Sequence, residues 1–199
     1  MIEICRASLK DIDAVVKIHE KTFRGFFLTK LGSSFLYLYY KSVLNNADGI
    51  LFVSRKNDKI IGLCAATMLS AGFNTRLIKD NIIRYGMESL KLLFVNPKNL
   101  LHLIKNMSKE DSRFGDDGNY AELLSIGVDP NVQRSGAGRE MLLKLEAEVK
   151  KRGGKKLSLT TDYKDNEKAI NFYKSQGYEP WYDFLTYPNR RMYRMIKYL

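Results

Sequence analysis

Residues 133–139, Gln133-Arg134-Ser135-Gly136-Ala137-Gly138-Arg139, have the make-up of an anion site. Gly136 and Gly138 let a phosphate approach the backbone where a Cβ would stand in the way. A helix starting here offers unpaired N–H groups and roughly half a positive charge from its aligned peptide dipoles. Arg134 and Arg139 add charge at the rim. Neither common nucleotide turn fits. No Gly-Lys-Ser/Thr follows for a P-loop, and two glycines stand where a dinucleotide turn needs three. No Ser-His-Asp or Cys-His set is evident elsewhere. Cys5 and Cys64 lie in apolar stretches without His or Cys neighbours at ligand spacing, so buried free thiols are expected and no metal.

A strand must deliver such a turn, and a helix must follow it. Leu123, Leu124, Ile126 and Val128 predict a buried strand, stopped by Asp129-Pro130-Asn131 because proline lacks the N–H a ladder needs. Glu122 has the same parity as Leu124, Ile126 and Val128, which predicts one shared face. Gly138, Leu142, Leu145 and Val149, spaced four, three and four, predict the helix, and Gly153-Gly154 ends it.

Upstream, residues 2–5 alternate as a first strand, and Ser8 can cap a helix with Ile12, Val15, Val16 and Ile18 on its apolar face. A second helix is rich in aromatics, from Phe35 to Tyr40. Residues 50–53 and 60–66 flank Lys56-Asn57-Asp58-Lys59 as a hairpin. Residues 69–118 read as an insertion, with helical patches at 77–85, 87–95 and 100–107 and a mobile polar loop at 109–118. Residues 156–161 predict a strand, 166–176 a helix, and 181–187 with 190–198 a closing antiparallel hairpin.

Two motifs, in this order, resemble the GNAT superfamily of N-acetyltransferases. The first is Val128-Asp129-Pro130 followed by Gln133-Arg134-Ser135-Gly136-Ala137-Gly138, similar to that family's acetyl-CoA signature. The second is Asn166, Ala169, Phe172, Tyr173, Gly177 and Tyr178, spaced as in the helix that follows in the family. The likeness is clear over residues 120–180. It implies an α/β (α+β) chain of one domain, 1–199, with a mixed, mostly antiparallel sheet, a splayed parallel pair and flanking helices. It also implies transfer of the acetyl group of acetyl-CoA directly to a primary amine.

The resemblance assigns residues as well. The pyrophosphate is expected at Gln133, Arg134, Ser135, Gly136, Ala137, Gly138 and Arg139. The pantetheine arm is expected along Ile126, Gly127 and Val128, where backbone amides can hold the thioester carbonyl and Gly127 permits close approach. Asn166 resembles a CoA-contacting asparagine and is equally a helix cap. Tyr173 is the candidate proton donor to the CoA sulfur, or a hydrogen-bond donor to it, and a cofactor contact. Asn166, Ile170 and Tyr173 share a helix face, with Phe172 and Ala169 inward. Glu122 stands where several family members carry a catalytic base, and in a dry cleft its pKa would rise. His19 is the other titrating group near the expected substrate side, and His102 receives no role.

A net charge of +11 on 199 residues favours polyanionic ligands, and the phosphates of CoA give part of that excess a use. No nucleic-acid module is visible, so no nucleic-acid partner is expected. No apolar run reaches membrane-span length and the start lacks a signal core, so a cytoplasmic monomer or homodimer is expected, with membrane association disfavoured. The acceptor is left open between a small molecule, an amino sugar among them, and a protein amine. Two other readings stay open: a non-catalytic acyl-CoA-binding module, and a membrane-surface protein anchored through residues 90–105. For that segment a lid or dimer contact is the favoured alternative to a membrane anchor.

Overall fold

The computed structural model describes residues 2–95, 115–132, 135–187 and 189–199. β1 (Glu3–Arg6), β2 (Gly49–Lys56) and β3 (Lys59–Thr67) pair antiparallel in that order, β2 and β3 as the expected hairpin. Its turn residues, Asn57 and Asp58, both have positive φ (49° and 59°), the left-handed pair that matches strand twist. β4 (Ala121–Val128) continues antiparallel to β3, and β5 (Lys156–Asp162) lies parallel to β4. β6 (Glu179–Thr186) and β7 (Arg190–Tyr198) form the closing hairpin. β7 is inserted beside β5, so the sheet order is β1-β2-β3-β4-β5-β7-β6.

Helices cover both faces, which is why β2 and β3 read as continuous apolar runs. α1 (Ile12–Thr22) and α2 (Ser33–Asn45) bury Ile12, Val15, Val16, Leu36 and Tyr40 against Leu51, Val53, Leu63 and Ala65. The first turn of this region carries the expected cap. Ser8 and Asp11 form a capping box, and Asp11 also accepts from Arg55 (2.5 Å). The other face carries α5 (Ala137–Lys151) and α6 (Glu167–Ser175). Leu142, Leu145 and Val149, the predicted stripe, join Met141 at 0% exposure against Ile50, Phe52, Cys64, Leu157 and Leu159. Full burial of each contributes about 1.5–3 kcal/mol.

Two helices precede the undescribed stretch: α3 (Phe73–Asp80) and α4 (Ile82–Val95). The break therefore falls at Asn81 and not at Gly86, where the patches suggested it. Asn81 leaves the helical region (φ −133°), and its side chain donates to the Leu77 carbonyl (3.2 Å) while its own carbonyl receives the Tyr85 N–H (3.0 Å). The predicted patch at 100–107 and the 109–114 part of the polar loop lie outside the described residues. The end of that loop is not loose. Asp116 is buried, receiving the hydroxyls of Tyr120 (2.8 Å) and Tyr182 and the Gly118 N–H (2.9 Å).

The parity expected for β4 is overturned by a bulge. Ala65 pairs with Ser125 but Ala66 with Leu123, so Leu124 is an extra residue. An added residue reverses the alternation from there on. Leu124 accordingly packs toward α1 and α2, whereas Ile126 and Val128 join the core under α5 with Leu123. Glu122 and Ile126 do not share a face.

Candidate active site

β4 and β5 pair only at Ala121↔Leu157, Glu122↔Ser158 and Leu123↔Leu159. Beyond Leu123, β4 stays with β3 as far as Val128, while β5 follows β7 to Asp162. The two parallel strands thus part into a wedge whose apex coincides with the bulge, because a bulge bends its strand. Along residues 124–128 the β5-facing edge of β4 has no strand partner among the described residues, and Leu124, Ser125 and Ile126 are half-exposed there.

The start of α5 lies at the far end of β4. Gly136 is its N-cap, with φ +84°, a left-handed conformation that suits glycine. No side chain among the described residues caps this end, and the first intrahelical bond runs from the Glu140 N–H to the Gly136 carbonyl. The N–H groups of residues 137–139 are therefore open toward an anion. Among the described residues, a Cβ on Gly138 would meet only Val128 Cγ2, at 3.8 Å. Ser135 and Gly136 are exposed and Ala137 is buried. Arg139 reaches the Gln176 side chain (3.4 Å) at the end of α6. Gln133 and Arg134 lie outside the described residues. A free strand edge running into an uncapped helix start fits a ligand with an extended amide-bearing arm and a pyrophosphate, which is the chemistry of CoA.

Gly127 has a different neighbour from the one its type suggested. A Cβ there would stand 2.9 Å from Thr22 Cγ2 and 3.2 Å from the Phe23 ring, so its bareness serves the docking of α1 on β4. Asn166 makes no cap bond. Its amide donates to Thr161 Oγ1 (2.6 Å) and ties the start of α6 to the end of β5. Tyr173 and Phe172 both pack against the core that holds Ile126 and Val128, so Phe172 is not the inward residue alone. Burial, and after it the nearby Cys64 thiol, push the Tyr173 phenol up. Cys64 pairs with Ile126 across β3–β4, which brings Tyr173 beside the middle of the wedge.

At the foot of the wedge Glu122 is buried. Its Oε1 accepts from Arg194 (2.9 Å) and its Oε2 from the Ser70 hydroxyl (2.6 Å). Arg194, 0% exposed, also faces Asp116 at 3.6 Å. Sequence reading missed this arginine. Its signal was parity: Arg194 alternates with Tyr193 and Met195 and shares the phase of Met192 and Ile196.

On the α1 side, His19 Nδ1 lies 2.6 Å from the Tyr40 hydroxyl, which lies 3.0 Å from Ser125 Oγ. Burial holds the imidazole at about 4, below its ordinary 6.5. Between those values the unfolded chain binds a proton that the folded chain refuses. Stability is therefore lost as pH falls from 6.5 toward about 4, by roughly 3 kcal/mol in all. Urea midpoints across that window should fall more steeply for the wild-type chain than for His19→Gln, which lacks the group. Equal slopes would show that His19 accepts its proton freely.

Phe26, in the loop after α1, is exposed and lies under the Arg190 guanidinium at 4.9 Å. Arg190 in turn pairs with Asp162 (Nη2–Oδ2 2.6 Å), the last residue of β5. The loop after α1 and the start of β7 thus meet across the open end of the wedge.

The sequence pattern of the acetyltransferase (GNAT) family matches residues 12–178. No curated protein matches the chain. Among solved structures, the ribosomal-protein-S18-alanine N-acetyltransferase of Escherichia coli superposes with a TM-score of 0.62 at 18% identity, over 98% of this chain and 92% of that one. The PaiA N-acetyltransferase of Thermoplasma acidophilum, in complex with coenzyme A, gives 0.58 at 14% identity, over 100% and 99%. The ribosomal-protein-alanine N-acetyltransferase of Brucella melitensis gives 0.65 at 16%, over 99% of each chain. At such identities the likeness is one of fold.

Proposed function

This chain belongs to the acetyltransferase (GNAT) family, and we propose that it passes the acetyl group of acetyl-CoA directly to a primary amine at the open end of the β4–β5 wedge. It is an acyltransferase, and acetyl-CoA is its donor. The observation that carries the proposal is the parting of β4 from β5 after Leu123, beside an uncapped helix start. One domain spanning 1–199, with 69–118 as an addition to it, belongs to the same reading, as does a cytoplasmic location. No helix among the described residues is long and apolar enough to cross a membrane.

When bound, acetyl-CoA supplies an activated acetyl thioester. The open N–H groups of residues 137–139, with Ser135 and Arg139 beside them, hold its pyrophosphate. The free edge of Ile126, Gly127 and Val128 holds the arm, and a backbone N–H there holds the thioester oxygen. Tyr173 donates a hydrogen bond to the departing sulfur, which as a thiolate would take up the proton that the amine nitrogen loses. A phenol pushed up by burial is a poor source of a whole proton, which favours the hydrogen bond over complete transfer. Asn166 supports the site by fixing the β5–α6 connection. Glu122 has both oxygens engaged, so we assign it to holding Arg194 at the foot of the wedge and not to taking the amine proton.

The test is acetyl-CoA turnover over a panel containing an amino-sugar phosphate, spermidine and a peptide with a free alanine N-terminus. Turnover of any one supports the enzyme reading. Tight CoA binding without turnover of any would favour a binding module. In the same assay Tyr173→Phe should lower kcat by about thirtyfold, the worth of one hydrogen bond to a developing charge. CoA affinity should hardly change. A variant as fast as wild type would make Tyr173 a packing residue only.

A further inference from the structure

We propose that Ser125 accepts the N–H of the attacking amine, and that Tyr40 and His19 are positioning residues that turn its lone pairs toward the wedge. The proposal rests on the wedge being the site of acyl transfer. Its starting point is the bulge. The extra residue Leu124 sends both Leu124 and Ser125 toward α1 and α2, away from the α5 side that Ile126 and Val128 face. Without the bulge a side chain at 125 would have turned to the other face. Ser125 is half-exposed at the place where β4 and β5 have just parted, whereas His19 and Tyr40 are buried at 3% and 0% exposure.

Counting hydrogens along the line sets its direction. An imidazole nitrogen is a better base than a phenol oxygen, and a phenol is the better donor, so Tyr40 gives its one hydrogen to His19 Nδ1. The 2.6 Å separation suits an O–H donor. With that hydrogen committed, the Tyr40 oxygen must accept from Ser125, 3.0 Å away. Ser125 then has no hydrogen left, and only lone pairs face the wedge. Burial keeps the two inner members of the line in the required state: it pushes the His19 imidazole down to about 4, hence neutral, and the Tyr40 phenol up, hence protonated.

A bare acceptor is what an attacking amine needs beside the thioester. The amine must aim its lone pair at the carbonyl carbon, and its N–H bonds then point elsewhere. Holding one of them fixes the angle of attack. The opposite polarity, with His19 Nδ1–H donating, would free the Ser125 hydrogen to point outward and leave one lone pair there instead of two, a poorer acceptor for the N–H. His19 Nε2 has no partner among the described residues in either case, so it does not choose between the two.

Two measurements test this. The chain has two histidines, His19 and His102, so the ¹⁵N shifts of its imidazoles can be assigned by substituting one. His19 should be the neutral Nε2–H tautomer in the resting chain. An Nδ1–H tautomer overturns the proposal, with or without a known acceptor. The second measurement is a double-mutant cycle, with acetyl-CoA and the panel amine that the wild-type chain turns over. Ser125→Ala should lower kcat/KM by about tenfold, the worth of one hydrogen bond. Tyr40→Phe should lower it about fivefold when Ser125 is present and not at all in the Ser125→Ala background, because its effect runs through that hydroxyl. His19→Asn, which can place an oxygen near Nδ1, should retain more activity than His19→Leu. Equal losses from Tyr40→Phe in both backgrounds, or full activity in Ser125→Ala, overturn the assignment. If the wild-type chain turns over none of the panel, what fails is the acceptor reading beneath it.

Discussion

Replacing Arg194 by methionine is expected to cost the fold about 3–5 kcal/mol, as breaking a buried ion pair from one side does. Arg194 is fully buried, with Glu122 at 2.9 Å on one side and Asp116 at 3.6 Å on the other. Its guanidinium also lies 5.6 Å from the Tyr120 ring and 5.8 Å from that of Phe184. Methionine fills most of the space but leaves two carboxylates with no cation between them. Asp116 keeps its tyrosine hydroxyls, and Glu122 keeps Ser70. A loss of this size is a large part of the stability of an ordinary domain and should lower Tm by roughly 10 °C. Thermal and urea unfolding measure it. The double variant Arg194→Met with Glu122→Leu should recover much of the loss, since replacing both members of a buried pair by apolar groups is often neutral. A Tm for Arg194→Met within about 2 °C of wild type would mean that the pair carries little. Glu122→Gln separates the two roles of the glutamate. The assignment made above predicts a lower Tm, whereas a free general base would flatten the acidic limb of the rate profile and leave Tm alone.

The second large effect is expected at Gly138. Valine there should reduce acetyl-CoA affinity by roughly a thousandfold, the worth of two charge-assisted bonds from backbone N–H groups to phosphate. The fold should tolerate it. Among the described residues a Cβ would meet only Val128, at an ordinary 3.8 Å, and valine is a better helix residue than glycine. Gly136 is the poorer place for the same experiment, because its φ of +84° strains any side chain whatever the space. Calorimetry with CoA checks the result, with Tm as the control. Unchanged binding would mean that the pyrophosphate lies elsewhere than the start of α5.

Much of this protein was legible in order along the chain. The hairpin at Asn57-Asp58, the stripe Leu142, Leu145 and Val149, the closing hairpin and the strand–turn–helix around Gly136 are local patterns. They follow from backbone sterics and the periods of helix and strand, which neighbouring residues encode by themselves. The two motifs at 128–138 and 166–178 pointed to the family for the same reason. Tertiary structure decided the rest. The bulge at Leu124 arises only when β4 is set against β3, and it moved Ile126 and Ser125 to faces that simple alternation denies them. Glu122 became half of an ion pair because β7 lies beside β5, which carries Arg194 across the sheet from 72 residues away. Gly127 and Asn166 took their structural partners from α1 and from the end of β5. Ser125, Tyr40 and His19 have ordinary surroundings in the sequence and make a line only because α1 and α2 pack on β4. A spacing of residues fixes periodicity and turns, but which side chain loses its water, and to whom, is settled by contacts between elements far apart in the chain.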